Sequence, residues 1–494
     1  MAKRNWWLTA VVIAVVAACG GTTASPSPAP SNPSASGTPS ATATAGATEA
    51  PAAAVPTVPT GYTELDAALG ADKPYAGKKV GIQTQWISGE GANFTAAFAD
   101  FAAATGIVIT NEGIGANHEQ LLKTRLEGNS PPDLAMLAQP SAVVSYGQDG
   151  KLLDIASFMD PTKVNGDFSK TIGFLTDGSH IWGVPYKVDV KSTVWYPIKA
   201  FEAKGYQVPT TYQELLDLSD QIVTDGSHPW CLAIESGGAT GWIATDWLED
   251  AVLRTAGIDA YQRWITGDLK FNSPEIKTAM DDIAKVFFGN GYVDGGTTAI
   301  TGTDFRTAMD PMFTDFTNPG CWMQKQATWF GPDFFPDARN NPGTPSQYKV
   351  GTDVGIFYFP PIDAAQGKPV LGAGDTLLVP VPANGGEVRP EVKAVAEFLS
   401  LPEGTENWIR AGSAISANEK TPAEWYAGAY KLKVANDMLT NATSFGFDAS
   451  DLMPTVVGSG SEWELLTQWI NGGGTSPTTE DVLSQIDASW PTTP

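Results

Sequence analysis

Cationic side chains are scarce in this chain: 30 Lys and Arg stand against 54 Asp and Glu, a formal net charge of −24. That balance argues against a nucleic-acid partner or a polybasic membrane contact, both of which draw on Lys and Arg. Histidine is rarer still. His118, His180 and His228 lie far apart and make no His-x-x-x-His or Cys/His spacing, so no metal site is expected. Cysteine is limited to Cys19, Cys231 and Cys321. Absent too are a G-x-S-x-G elbow, a G-x-x-x-x-G-K phosphate loop and a full G-x-G-x-x-G. These absences weigh against serine, zinc and nucleotide chemistry, and no cofactor is expected. A secreted glycosidase stays open, because paired carboxylates have no fixed spacing.

Long apolar runs are confined to the N-terminus. After Lys3 and Arg4, residues Trp6 to Val16 are apolar except for Thr9. The run is too short to span a bilayer and has the form of an export signal. It ends in Val16-Ala17-Ala18-Cys19-Gly20, which resembles a bacterial lipobox. The resemblance implies a lipoprotein signal over 1–19, with Cys19 lipidated and anchored at the outer face of the cytoplasmic membrane. Residues 20–60 are almost wholly Ala, Ser, Thr, Pro and Gly, with Glu49 the lone charge. Such a segment has too little apolar bulk to offset the entropy of ordering and is expected to be a disordered tether.

From Gly61 onward the chain is long enough for a large two-lobed globule. Tryptophan is abundant, with 16 residues in the whole sequence. Most such rings fill cores, but sugar faces also stack on them. Cys231 and Cys321 form an even pair in an exported segment, which favours a disulfide over a metal site or a nucleophile.

Strand and helix patterns alternate. Lys79 to Gln85 reads as a strand, and Asn93 to Thr105 as a helix with Phe94, Ala97, Phe98 and Phe101 on one face. Ile107 to Thr110 is a second strand, Glu119 to Glu127 a second helix, and Asp133 to Leu137 a third strand. Thr210 to Ile222 opens with Thr211 and Glu214 at capping-box spacing. The alternation predicts α/β architecture with mostly parallel sheets, and ligands bind such sheets beyond the carboxyl ends of their strands.

Several segments carry a family resemblance. Trp86-Ile87-Ser88-Gly89-Glu90 through Thr105-Gly106-Ile107 resembles the opening of maltose-binding protein. Trp182-Gly183-Val184-Pro185-Tyr186, Val194-Trp195-Tyr196 and Pro209 to Leu215 resemble the first lobe crossing of family 1 extracellular solute-binding proteins. Gly372 to Leu377 and Ala394 to Leu399 resemble the return crossing and the helix after it. The stretch Trp230 to Asp250, with Gly320-Cys321-Trp322, is similar to α-glucoside-binding members.

The resemblance implies a two-lobed periplasmic-binding-protein-like (type II) fold with a multi-strand hinge. Lobe 1 would span 61–187 and 373–442, and lobe 2 would span 188–372 and the C-terminal helices of 443–494. It also implies a monomer that binds a carbohydrate without altering it. The partners would be the membrane permease subunits of an ABC importer. Carried over by position, Glu90, Asp189 and Glu235 are expected to accept ligand hydroxyls. Trp329 and Trp463 are expected to stack on the ligand, with Trp242 or Trp247 supplying a further ring. Trp86 is expected at the cleft base, and Asp246 and Asp375 are additional candidates. Two positions depart from the family. Gly91 stands where maltose-binding protein has lysine, and Leu137-Ala138-Gln139-Pro140 replaces an aromatic and Asp-Arg wall. A solute-binding protein for a non-sugar ligand is the remaining alternative.

Overall fold

The computed structural model describes residues 55–341 and 344–492. The expectations for Cys19, the export signal and most of the tether fall outside them.

Eleven strands form two sheets in the described residues. They are β1 (Lys79–Thr84), β2 (Val108–Gly113), β3 (Leu134–Leu137), β4 (Val184–Val190), β5 (Thr193–Pro197) and β6 (His228–Trp230). There follow β7 (Cys321–Lys325), β8 (Val354–Tyr358), β9 (Pro369–Leu378), β10 (Ile415–Ser416) and β11 (Ser444–Phe447). The lobe 1 sheet runs β10-β4-β9-β3-β1-β2, with β11 added to the first half of β9. The lobe 2 sheet runs β6-β7-β5-β8.

The strand–helix alternation holds where it was read. β1 pairs in parallel with β2 and with β3, each reached through a helix. Both sheets are nevertheless mixed. β9 lies antiparallel to β3 and β4, and β5 antiparallel to β7 and β8. The reason is topological: a chain that leaves one lobe along β4 and returns along β9 must run the opposite way beside it.

Each lobe has its own core. The helix Ser88–Thr105 buries Phe94, Ala97, Phe98 and Phe101 on the lobe 1 sheet and ends at Gly106, whose φ of +75° suits glycine. In lobe 2 the helix Trp242–Thr255 is buried along nearly its whole length. Helix Tyr212–Thr224 begins with the expected box: Thr211 Oγ1 accepts from the Glu214 amide at 3.2 Å, and Glu214 Oε2 accepts from the Thr211 amide at 3.2 Å. Cys231, just after β6, is bonded to Cys321 at the start of β7, with Cα atoms 5.2 Å apart. No described helix is long and apolar enough to cross a membrane.

Candidate functional site

The lobe 1 wall begins at the end of β1, where Gln85 and Trp86 lead into the helix Ser88–Thr105. Glu90 sits in its first turn, where free amides and the helix dipole favour a carboxylate. A Cβ at Gly91 would lie 2.8 Å from the Trp86 carbonyl and 3.1 Å from Asn111 Nδ2, so this backbone has no room for a lysine. Withdrawal from water raises the Glu90 carboxyl to about 8, against the pull of Lys187.

Beside it, β4 and β9 place Lys187 opposite Asp375, and strand alternation puts Asp189 on the same face as Lys187. Lys187 Nζ lies 2.7 Å from Asp189 Oδ2 and 2.8 Å from Asp375 Oδ2, and Lys187 is only 2% exposed. The Lys187–Asp189 pair is thus buried and not a surface ion pair. Gln85 Nε2 donates to Asp375, and the Thr328 hydroxyl donates to Asp189 Oδ1 at 3.2 Å. Burial raises the Asp189 carboxyl even though Lys187 lowers it.

Lobe 2 supplies rings. A Cβ on Gly241 would fall 2.3 Å from the Trp463 carbonyl, and its φ of +118° is one that L side chains rarely adopt. That close approach brings the helix start at Trp242 against Trp463. Trp242, Phe305 and Trp329 pack mutually, with centroids 5.2, 6.0 and 5.9 Å apart. Lys191 Nζ lies 5.5 Å from the Trp242 ring, 2.7 Å from Asp246 and 2.5 Å from Asp448.

These walls bound a cleft between the lobes. Glu90, Asp189, Asp375, Trp86, Trp242, Trp329 and Trp463 all line it. Trp86 also sits in the lobe 1 core, edge-on to Phe94 and Trp408. Glu235 is a correction. It is absent from the lining, because its carboxylate turns back to accept from the Gly237 amide at 2.7 Å. Trp247 lies in the lobe 2 core instead of the cleft, and Asp246 lies behind Lys191. Burial raises the Asp246 carboxyl to about 6 against the pull of Lys191.

Gln85, Glu119, Gln139, Phe305 and Arg306 line the cleft without having been expected there. Gln139 follows β3, and the rule that sites lie past strand ends could have found it. Phe305 and Arg306 carry no periodic or spacing signal. Three lining atoms are buried without a hydrogen-bond partner: Gln85 Oε1, Gln139 Oε1 and Trp463 Nε1. Buried polar atoms are normally paired, so these are the ones a polar ligand would satisfy. Across the cleft the Gly238 amide donates to Asn117 Oδ1 at 3.2 Å, and Asn93 Nδ2 to Asp333 Oδ2 at 2.6 Å.

Two lobes joined by strands, with acceptors on one wall and aromatic rings on the other, define a module that encloses a polar solute. The chain belongs to the bacterial extracellular solute-binding protein family, whose model matches residues 86–406. It is 33% identical over 84% of its length to the alpha-glucosides-binding periplasmic protein AglE of Rhizobium meliloti, covering 87% of that protein. It is 32% identical over 84% of its length to the osmoprotective compounds-binding protein GgtB of Synechocystis, covering 93% of it. Among solved structures, the fold is shared with the solute receptor AcbH at TM-score 0.68 and 17% identity, covering 83% of this chain and 98% of that one. Maltose-bound MalE3 of T. maritima shares it at TM-score 0.63 and 14% identity, covering 83% and 98%.

Proposed function

We propose that the protein captures an α-glucoside, such as maltose, trehalose, sucrose or a short malto-oligosaccharide, and presents it to the permease of a carbohydrate ABC importer. In this reading it is held at the cell surface by a lipid on Cys19. The observation that carries it is the division of labour across the cleft. Trp242, Phe305 and Trp329 offer ring faces to the apolar C–H side of a sugar, while Glu90, Asp189 and Asp375 face them as hydroxyl acceptors. The name of the AglE relative favours the α-glucoside class.

A raised carboxyl at Glu90 would also suit a general acid, which makes glycoside hydrolysis the rival reading. Calorimetric titration with these sugars, followed by analysis of the recovered ligand, separates the two. At least one sugar is expected to bind and return intact, and Trp329→Ala is expected to weaken binding tenfold or more. Cleavage by the wild type would establish the hydrolase. Absence of binding by every α-glucoside would overturn the proposal.

A further inference from the structure

The helix Ser88–Thr105 carries glycine at positions 89 and 91, and the two are small for different reasons. The nearest obstacles to a Cβ at Gly91 are the Trp86 carbonyl and Asn111, which belong to the same lobe. At Gly89 the three nearest atoms all belong to Asp333 of lobe 2: its Cβ at 2.5 Å, its Cγ at 3.0 Å and its Cα at 3.2 Å. Gly89 has no positive φ, and glycine is a poorer helix former than alanine. The demand for glycine therefore comes from the other lobe.

Asp333 is held from both lobes. Its turn, Pro332–Phe334, is anchored in lobe 2 by the buried rings of Phe330, Phe334 and Phe335. Its carboxylate reaches lobe 1, accepting from Asn93 Nδ2 at 2.6 Å and from the Ser413 hydroxyl at 3.3 Å. Neither Gly89 nor Asp333 lines the cleft, but each is tied to a residue that does. Gly89 precedes Glu90 in the chain, and Phe334, next to Asp333, packs on Trp329 with ring centroids 5.0 Å apart. The contact thus sets how far the Glu90 carboxyl stands from the lobe 2 rings.

Resting on the sugar-binding reading above, we infer that Gly89 and Asp333 are positioning residues for the ligand: Asp333 seats on the bare backbone of Gly89, and the seat fixes the separation of the two cleft walls. Carbon atoms come to rest about 3.5–4.0 Å apart, so a methyl group at Gly89 moves the walls apart by about 1 Å or more. The Asp333 side cannot yield cheaply, because its Cα is as much in the way as its side chain and the turn is packed from behind. Hydrogen bonds do not survive such a displacement at full strength. A ligand bonded to both walls then gives up part of one set of contacts, although the new methyl touches no part of it.

The test is calorimetric titration of the full chain, Gly89→Ala, Asp333→Gly and the double variant with maltose, trehalose and sucrose. For each sugar that the wild type binds, Gly89→Ala is expected to weaken affinity about tenfold or more. In the Asp333→Gly background, where the obstructing Cβ is gone, the same substitution is expected to cost less than about threefold, since the two sites are coupled. A defect confined to the lobe 1 helix would persist in that background, so an equal loss in both would overturn the inference. Affinity of Gly89→Ala within about threefold of wild type would overturn it too, and would leave the proposed function standing. If the wild type binds none of the sugars, the sugar-binding reading fails and the inference falls with it.

Discussion

Lys187→Met is the sharpest perturbation of the site. The ammonium lies within 2.8 Å of two carboxylates, Asp189 and Asp375, and the charge of Glu90 also acts on it. Methionine keeps much of the side chain's volume and removes the charge. Breaking a buried ion pair from one side costs about 3–5 kcal/mol, because the partner charge stays buried without compensation. The carboxylates have one escape, which is to take up protons. Without the lysine, the folded-state proton affinity of Asp189, already raised by burial, rises further above that of the unfolded chain. Folding is then favoured at low pH, and the benefit is lost as pH rises through the raised values. Urea unfolding should therefore show the variant about 3–5 kcal/mol less stable than wild type at pH 7.5, with a clearly smaller deficit at pH 5. A deficit under about 1 kcal/mol at pH 7.5, or one equal at both pH values, would refute the buried, lysine-compensated arrangement.

Lys431 tests burial with the opposite sign. It is 3% exposed and donates to the Phe330 carbonyl at 3.0 Å; burial pushes its amine from 10.5 down to about 8, against the pull of Asp189. Its folded-state proton affinity lies below the unfolded one, so wild-type stability should gain up to about 3 kcal/mol relative to Lys431→Met between pH 8 and pH 10.5. Parallel stability profiles for the two proteins would contradict this. At the N-terminus, Cys19→Ser should release the protein from the membrane fraction or leave it unprocessed, and unchanged membrane association would remove the anchor.

Local patterns made much of the framework legible. β1 was read to within one residue, and the capping box at Thr211 was read outright, because both depend on neighbouring residues alone. The helix read from Asn93 begins at Ser88, five residues ahead of the apolar pattern. Gly89 and Gly91, which lie ahead of that pattern, are within the helix. A Cβ at Gly89 would come 2.5 Å from that of Asp333, and one at Gly91 2.8 Å from the Trp86 carbonyl. Strand alternation could have placed Lys187, Asp189 and Lys191 on one face. It could not have said that the face was buried, which depends on β9 lying beside β4. Glu235 failed for a local reason: the Ser236-Gly237-Gly238 turn offers its carboxylate a nearer amide.

How the strands cross between lobes bears on how the cleft closes. Between β4 and β5, the Lys191 amide donates to the Leu371 carbonyl at 2.8 Å, and Ser192 Oγ accepts from the Leu371 amide at 2.9 Å. Lys191 Nζ reaches Asp448, and the Asp448 amide donates to the Gly372 carbonyl at 2.8 Å. Three passages of the chain are thus bonded to one another around Lys191 and Ser192. Away from that knot, polar contacts between the lobes include Asn117 with Gly238, and Asn93 and Ser413 with Asp333. Each such bond is worth about 1 kcal/mol net, so opening the cleft while the knot stays intact costs only a few kcal/mol. A ligand can shift that equilibrium only by binding one form better than the other. On the proposed reading, Glu90 and Asp375 would reach it from lobe 1 and Trp242 and Trp329 from lobe 2, so only the closed form would make both sets of contacts. On that reading the cleft carboxylates act on closure as well as on affinity, and a substitution at Asp375 should shift both together.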